Sequence, residues 1–154
     1  MKPSIKRFFY KVFSSLVMIV LMHATAANTV DQTLGEYAWE KRQVIVFAPA
    51  LDHPDYLHFL KKLDVFQEDF TERKLHVWHV VGDQAVKLEN IRQQSPIAND
   101  FRKKYGVSPN EFKLILVGYD QQEKLRQNRL QLDDLFAEID QMPMRLQEMQ
   151  DSAQ

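Results

Sequence analysis

The chain has 154 residues, no cysteine, and 20 lysine and arginine residues against 21 aspartate and glutamate residues. Its length is that of one domain with short extensions. The lack of cysteine excludes disulfide bonds and thiol chemistry, and so excludes thiol oxidoreductases and thiol peroxidases.

The first 26 residues have the pattern of a secretory signal peptide: a basic start as far as Lys11, an apolar run at residues 12–22 and a small-x-small cleavage site at residues 24–26. The run is shorter than the roughly 20 residues of a membrane-spanning helix, so an uncleaved anchor is the less favoured alternative. Cleavage after Ala26 or Ala27 would leave an acidic chain, which argues against nucleic acid as a partner. We expect a periplasmic or secreted protein that does not span a membrane after cleavage.

The mature chain begins with a leader segment, residues 27–41. We expect it to dock on the domain while staying irregular, with Leu34, Tyr37 and Trp39 as its apolar anchors. Residues 43–49 (QVIVFAP) follow as the first buried strand, because their apolar run is uninterrupted and the final proline cannot continue a central ladder.

A helix is predicted to begin at Asp52, with a short acid at the N-cap and a proline in the first turn. Apolar residues then recur at steps of three and four along one wide stripe. They are Tyr56, Phe59, Leu60, Leu63, Phe66 and Phe70. Residues 75–81 (LHVWHVV) form the second predicted strand, and the polar residues 83–94 are predicted as a loop.

A second helix is predicted to start at the cap Ser95. A strand hairpin at residues 112–127 (FKLILVGYDQQEKLRQ) follows, with a buried first strand and a more polar partner nearer the sheet edge. The last amphipathic helix begins near Leu132 and is interrupted at Pro143. Residues 147–154 are predicted as a flexible tail.

The elements therefore follow in the order β-α-β-α-β-β-α. Parallel strands joined by helical crossovers, followed by an antiparallel pair, predict a mixed central sheet between two helical layers. This is the three-layer α/β/α arrangement of the thioredoxin-like (peroxiredoxin-like) fold, and we expect the domain to span residues 42–146.

Three blocks of the sequence resemble one family. They are Trp39-x-x-Arg42 before the first strand, Glu72-Arg73 before the second, and a block from Leu135 to Met149 that contains Asp140-x-Met142-Pro143-Met144-Arg145-x-x-Glu148. On these residues the chain resembles the P-DUDES family (domain of unknown function 4174), a peroxiredoxin-like domain, over nearly the whole mature chain. The resemblance implies a thioredoxin-like fold in a small exported bacterial protein, and it implies no particular activity.

Thioredoxin-like enzymes place their reactive cysteine between the first core strand and the first helix, where the helix N-terminus stabilises the thiolate. The matching region here contains Asp52, His53 and Asp55 instead, and together with Arg73 these form the candidate functional edge. A general acid-base pair or a hard-cation site is one interpretation. The preferred alternative is that both acids satisfy backbone N–H groups at the helix start while His53 lies in solvent.

Met142, Met144 and Met149 are a candidate copper site, because exported copper-handling proteins use thioether ligands for Cu(I). Packing by these adaptable side chains is the preferred interpretation. His76 and His79 are three positions apart on a strand and point to opposite faces, so they cannot share one ion.

The charged residues of the three blocks are predicted to fix the fold rather than to catalyse a reaction. The expected pairs are Arg145 with Glu148 at i, i+3, and Arg42 or Arg73 with Asp140 or Glu72.

The sequence thus predicts a non-redox binding or interaction module without a cofactor, which presents its former active-site edge to an unknown protein or cell-envelope partner. The alternatives are a copper carrier that uses the three methionines and a non-thiol enzyme that uses Asp52 and His53.

Overall fold

The computed structural model describes residues 29–82, 84–87, 91–93 and 96–153. The predicted signal peptide and the predicted helix cap at Ser95 lie outside these residues. None of the helices in the described ranges has the length and apolar character that crossing a membrane requires.

The described part of the chain alternates helices and strands. In chain order they are α1 (Thr29–Gly35), β1 (Arg42–Ala48), α2 (Pro54–Val65), α3 (Gln67–Glu72), β2 (Leu75–Val81), β3 (Gln84–Lys87), β4 (Ile91–Gln93), α4 (Pro96–Tyr105), β5 (Lys113–Val117), β6 (Glu123–Gln127), α5 (Leu132–Asp140) and α6 (Pro143–Ser152).

One sheet runs through the domain, with its strands in the order β4-β3-β2-β1-β5-β6. β1 and β2 are parallel, and every other neighbouring pair is antiparallel. At the centre, Val44 lies opposite Val77 on one side and Leu116 on the other. The four strands β2-β1-β5-β6 form the mixed sheet of a thioredoxin-like fold, which confirms the predicted fold class.

Helices cover both faces of the sheet, because its inner strands are apolar on both sides. One core lies between the sheet and α2, α3 and α5, and its buried members include Val46, Phe59, Phe70, Leu135 and Ile139. The other core lies between the sheet and α1 and α4, and its members include Val30, Leu34, Phe47, Phe101 and Ile115. Successive residues of β1 alternate between the two cores, as the geometry of a strand requires.

Residues 83–94 contain strands β3 and β4, so the prediction of a loop there is wrong. β3 pairs antiparallel with β2 between Trp78 and Val81, and β4 pairs with β3. Backbone hydrogen bonds at the edge of a sheet form without the apolar pattern that marks an inner strand. The hairpin therefore left no clear hydrophobic signal in the sequence.

The leader segment is helical rather than irregular. α1 buries Val30 and Leu34 in the second core. The prediction that Trp39 is an apolar anchor is wrong, because its side chain is 69% exposed. Its backbone N–H donates to the carbonyl oxygen of Tyr119 at 3.2 Å, so the peptide group rather than the ring attaches this residue to the domain.

The helix predicted after β1 is two helices, because α2 and α3 meet at Phe66, where φ is −106° and ψ is 26°. The predicted cap at Asp52 is also wrong. His53 is the N-cap residue, and its side chain makes no capping hydrogen bond. Pro54 is the first helical residue and has no N–H that needs a partner, so the helix starts there without a capping carboxylate.

Pro143 interrupts the last helical segment, as predicted. α5 ends at Asp140, and α6 begins with Pro143 in its first turn, where proline lacks only an N–H that has no helical partner. α6 continues to Ser152 and so includes most of the predicted tail, residues 147–154, whose flexibility stays a prediction.

Candidate functional site

The predicted site residues lie at two opposite edges of the sheet. We call the end of the sheet at which β1 and β2 begin the amino edge. The opposite end of the sheet, where these two strands finish, is the carboxyl edge. Asp52, His53 and Asp55 follow β1 at the carboxyl edge, whereas Arg73 precedes β2 at the amino edge. The length of the seven-residue strand β1 separates the edges, a distance of about 20 Å. The structure therefore does not assemble these four residues into one site.

At the carboxyl edge, His53 lies between a carboxylate and an aromatic ring. Its Nδ1 is 4.0 Å from Oδ2 of Asp55, which is beyond hydrogen-bonding distance. Its ring stacks on Phe112 with the centroids 6.0 Å apart, and Asp55 also faces Arg129 at 3.6 Å. Asp52 is exposed. In the ranges described, no three His, Asp or Glu side chains are grouped so that they could hold a metal ion.

A buried arginine occupies the rest of the carboxyl edge. Arg102, on α4, is 5% exposed. Its Nη2 donates to the carbonyl oxygen of Ala48 at 2.8 Å, and its Nη1 donates to that of Ser108 at 2.9 Å. Ala48 is the last residue of β1, so the guanidinium satisfies backbone acceptors where the strand ends. A buried side chain at this edge therefore bonds the backbone.

A second buried arginine, Arg42, lies at the amino edge, and its side chain is 1% exposed. Its Nη1 donates to the carbonyl oxygen of Arg73 at 3.0 Å, to the hydroxyl of Tyr119 at 3.2 Å and to Oε2 of Glu148 at 3.1 Å. Its guanidinium carbon is also 4.2 Å from the centre of the Tyr119 ring. Arg42 thus joins the start of β1 to α6, to the β5–β6 turn and to the residue pair that precedes β2.

Two further arginines extend this network. Arg73 holds Asp140 with two hydrogen bonds, from Nε at 3.1 Å and from Nη2 at 2.8 Å. Arg145 donates to the same carboxylate at 3.2 Å and to Oε1 of Glu72 at 2.5 Å. The predicted pair of Arg73 with Asp140 is confirmed. Arg145 also faces Glu148 as predicted, with the two groups 3.9 Å apart.

The prediction for Arg42 is wrong, because its carboxylate partner is Glu148 rather than Asp140 or Glu72. The reason is the fold: α6 turns back across the amino edge after Pro143 and places Glu148 over the start of β1. Sequence spacing gives no information about that contact.

Burial and ion pairing shift the pKa values of the carboxylates in the network in opposite directions. Burial alone would raise the pKa of Glu148, but hydrogen bonds from Tyr119 and Arg42 lower it below its usual value. The same opposition holds at Asp140, where two arginine side chains lower the pKa. Burial and the hydrogen bond to Glu148 raise the pKa of Tyr119 to about 12. The carboxylates stay ionised and the phenol stays protonated at neutral pH.

A cleft of about 420 Å³ opens beside Arg42 at the amino edge. Its apolar walls come from Trp39, Tyr119, Met142, Pro143 and Met144. Its volume and its mixture of aromatic, thioether and charged walls are those of a small-molecule site. We refer to it as the amino-edge cleft.

The three methionines of the candidate copper site do not lie together. Met142 packs against the first core, and with Met144 it lines the amino-edge cleft. Met149 lies five positions beyond Met144 on α6, which is about 140° around the helix axis. This arrangement favours packing and cleft formation over a shared ion.

Backbone strain is concentrated at the amino edge. Among the described residues, three that are not glycine have positive φ: Trp39 (64°), Lys74 (52°) and Gln121 (63°). Trp39 precedes β1, Lys74 precedes β2 and Gln121 lies in the β5–β6 turn. All three are therefore at the amino edge. Residues with a side chain rarely adopt this backbone conformation, and such strain clusters at functional sites.

These observations bring the three separated sequence blocks to one place. The family whose model matches residues 33–148 is described as a domain of unknown function (DUF4174). The chain belongs to the DUF4174 family. The comparisons with curated proteins and with solved structures gave no match. In this DUF4174 domain, the residues that carry the family resemblance meet at the amino edge rather than at the carboxyl edge.

Sequence reasoning missed two residues of the candidate site, Tyr119 and Lys124, which both line the amino-edge cleft. Both belong to the β5–β6 hairpin, where the sequence indicates only a turn and a polar strand. A usable signal exists: Gly118 and Tyr119 directly follow the most apolar strand, and an antiparallel partner of β1 must end where β1 begins. A tyrosine at that position therefore lies beside Arg42.

Proposed function

We propose that this DUF4174 protein is an exported binding module without redox chemistry, and that the amino-edge cleft is its binding site. The chain contains no cysteine, so no thiol is present for disulfide exchange or peroxide reduction. The observation that carries the proposal is a cleft of ligand size whose lining includes Arg42 and Tyr119, and behind these two residues lies an ion-pair network.

The network makes the cleft preorganised. Arg42 and Tyr119, the two network residues that line the cleft, are fixed by hydrogen bonds to each other and to Glu148, so the wall they form keeps its shape before a ligand arrives. Preorganisation lowers the free-energy cost of binding. The outer rim is different, since the side chains of Trp39 and Met144 are 69% and 46% exposed. An exposed tryptophan and an exposed methionine are side chains that adapt to an apolar ligand.

The carboxyl edge supports a binding role less well. There Arg102 bonds backbone carbonyls, and His53 and Asp55 are too far apart for a hydrogen bond. We therefore place the partner-binding surface at the amino edge, and we propose a molecule of the cell envelope or the exported compartment as its occupant, in keeping with the predicted signal peptide.

The binding role is tested by titrating the ¹⁵N-labelled exported protein with fractionated cell-envelope extract. We expect the amide signals of Trp39, Gly118 and Tyr119 to shift. Met144→Asp should abolish the shifts, because it places a charge on the apolar wall. Leu57→Asp is the matched control, since Leu57 is 44% exposed on α2 and does not line the cleft. Shifts centred on Phe112, or an equal effect of both substitutions, would contradict the proposal.

Export is tested separately. The full chain should accumulate outside the cytoplasm with its amino terminus at Ala27 or Asn28, and a chain that starts at Ala27 should stay in the cytoplasm. Fractionation followed by mass spectrometry of the intact protein measures both. Equal distribution of the two chains would refute export by residues 1–26.

A further inference from the structure

One edge of the Arg42 guanidinium has no protein partner among the described residues. Its Nη1 has three acceptors, whereas its Nε and Nη2 are buried and make no hydrogen bond. Buried N–H donors of a charged group are costly to leave unpaired, and each such group requires an explanation. Arg42 lines the amino-edge cleft, so an acceptor supplied by a ligand would satisfy them.

On two other arginines of this chain, the Nε and Nη2 side of the guanidinium holds a carboxylate. Nε and Nη2 of Arg73 bond the two oxygens of Asp140 at 3.1 and 2.8 Å. Nε and Nη2 of Arg126 bond those of Glu123 at 2.8 and 2.7 Å. The parallel N–H groups of this edge match the two oxygens of a carboxylate. Arg42 lines the cleft, and its own Nε and Nη2 have no such partner among the described residues.

The number of acidic partners supports the same conclusion. Within the described ranges, the ion pairs of Arg73 include three carboxylates, and so do those of Arg145. The ion pairs of Arg42 include one, Glu148. A buried guanidinium in this network therefore accommodates more than one carboxylate. At Arg42 the position of a second carboxylate is open to a ligand.

We infer that the ligand of the amino-edge cleft carries a carboxylate, held side-on by Nε and Nη2 of Arg42, and an apolar body that lies against Trp39 and Met144. This inference rests on the proposed binding role of the cleft and specifies its ligand class. The cleft volume of about 420 Å³ accommodates a body of medium size, such as a short acyl chain or a single aromatic ring.

Entry of the carboxylate requires a local movement, because the Arg42 side chain is 1% exposed. Trp39 and Met144 are the exposed side chains at the rim, and they can rotate outward without breaking the network. Asp120, Lys124 and Glu138 also line the cleft, and Lys124 pairs with Asp120 at 2.7 Å. Because the charges of that pair offset each other, the affinity for a carboxylate should mainly reflect attraction by Arg42 less repulsion by Glu138.

The test compares octanoate with octanamide, which have the same apolar chain and differ in the carboxylate. Titrations of the exported protein are followed by the Trp39 indole N–H and the Gly118 amide in NMR spectra. We expect octanoate to bind at least about tenfold more tightly than octanamide, since hydrogen bonds between two charged groups are the stronger ones. Equal affinities, or octanoate shifts centred on Phe112, would overturn the inference.

Two variants sharpen the test. Glu138→Gln should tighten octanoate binding about threefold and leave octanamide unchanged, because only the carboxylate is repelled. Arg42→Lys keeps the charge but removes the paired N–H groups, and it should reduce the preference for octanoate over octanamide without abolishing it. If Arg42→Lys does not fold, the comparison of octanoate with octanamide on the wild-type protein still tests whether the cleft binds a carboxylate.

The outcomes separate this inference from the proposed function. A cleft ligand from envelope extract that contains no carboxylate would overturn the carboxylate inference and leave the binding role standing. Extract that shifts no amino-edge signal would count against the binding role itself.

Discussion

The two edges of the sheet each contain a buried arginine, but these arginines have different kinds of partner. Arg102 at the carboxyl edge bonds the carbonyl oxygens of Ala48 and Ser108. Arg42 at the amino edge bonds one carbonyl oxygen, that of Arg73, but also side chains from α6 and the β5–β6 turn, and its Nε and Nη2 have no acceptor among the described residues.

In a thioredoxin-like enzyme the reactive group lies at the carboxyl edge, where this chain has no thiol. Here a buried arginine at that edge bonds the backbone, whereas ionised side chains, backbone strain and the amino-edge cleft lie together at the opposite edge. The binding site that we propose therefore lies at the other end of the central strands from the site of a thioredoxin-like enzyme.

The largest expected effect comes from breaking the amino-edge network. Arg42→Met leaves Glu148 and Tyr119 without their buried partner and should lower the free energy of unfolding by about 3–5 kcal/mol. Arg129→Met at the carboxyl edge should change it by less than about 0.5 kcal/mol, because Arg129 is 78% exposed. Urea denaturation measures both. Similar losses for the two variants would remove the energetic distinction between the edges.

The second prediction distinguishes the two edges of the sheet by the pH range in which each loses folding stability. His79 lies in the carboxyl half of β2 and hydrogen-bonds the Tyr56 hydroxyl at 3.0 Å. Burial and the nearby His76 lower its pKa to about 4 from 6.5. The unfolded chain therefore binds more protons between those values, and stability falls as the pH drops from about 6.5 towards 4.

We expect the wild-type protein to lose roughly 2 kcal/mol of stability between pH 7 and pH 5, and His79→Gln to lose little. Because the pKa values of Asp140 and Glu148 are lowered, the stabilisation they provide is lost only at lower pH, as they become protonated. Denaturation curves at several pH values measure both pH ranges, the one in which His79 lowers stability and the lower one in which Asp140 and Glu148 do. An unchanged loss in His79→Gln would show that His79 does not cause it.

A smaller effect is expected from Tyr119→Phe. The hydroxyl accepts a hydrogen bond from Arg42 and donates one to Glu148 at 2.6 Å, so its removal should cost about 1–3 kcal/mol. Tyr105→Phe is the matched control, since the buried Tyr105 hydroxyl has no hydrogen-bond partner within the described part of the chain. That variant should be as stable as the wild type or slightly more stable. A larger loss for Tyr105→Phe in thermal or urea unfolding would reverse the comparison.

The smallest expected change in stability is at Trp39. Its φ of 64° is strained for any residue with a Cβ, so Trp39→Gly should raise the free energy of unfolding by up to about 1 kcal/mol. Trp39→Ala removes the indole but keeps the strain, so its stability should not rise. Both variants should weaken ligand binding at the cleft, measured by NMR titration. A stabilised variant with unchanged binding would show that the strain serves another purpose.

Much of the fold could be predicted because its signals are local. The apolar runs of β1, β2 and β5 and the interruption at Pro143 are each contained in a short stretch of sequence. The edge strands β3 and β4 gave no such signal, and neither did the exposure of Trp39. Both depend on which neighbour is available in three dimensions.

The candidate site was only partly predictable. The three family-like blocks contain Arg42, Arg73 and Asp140, and their charges predicted that Arg42 or Arg73 pairs with Asp140 or Glu72 without deciding between these pairs. The sequence did not indicate that Glu148 reaches Arg42 or that Tyr119 lies between them. It also grouped Arg73 with His53, which lies at the opposite edge of the sheet.

By itself the sequence determined the class of fold, the order of its main elements and the absence of thiol chemistry, since apolar periodicity and composition are properties of the chain alone. Only the tertiary structure decided that Arg42, Tyr119 and Met144 line one cleft at the amino edge. Parallel pairing of β1 with β2 and antiparallel pairing with β5 bring Arg42, Lys74 and Gly118 to the same edge. Strand pairing over long sequence distances, rather than local propensity, sets which charged side chains meet.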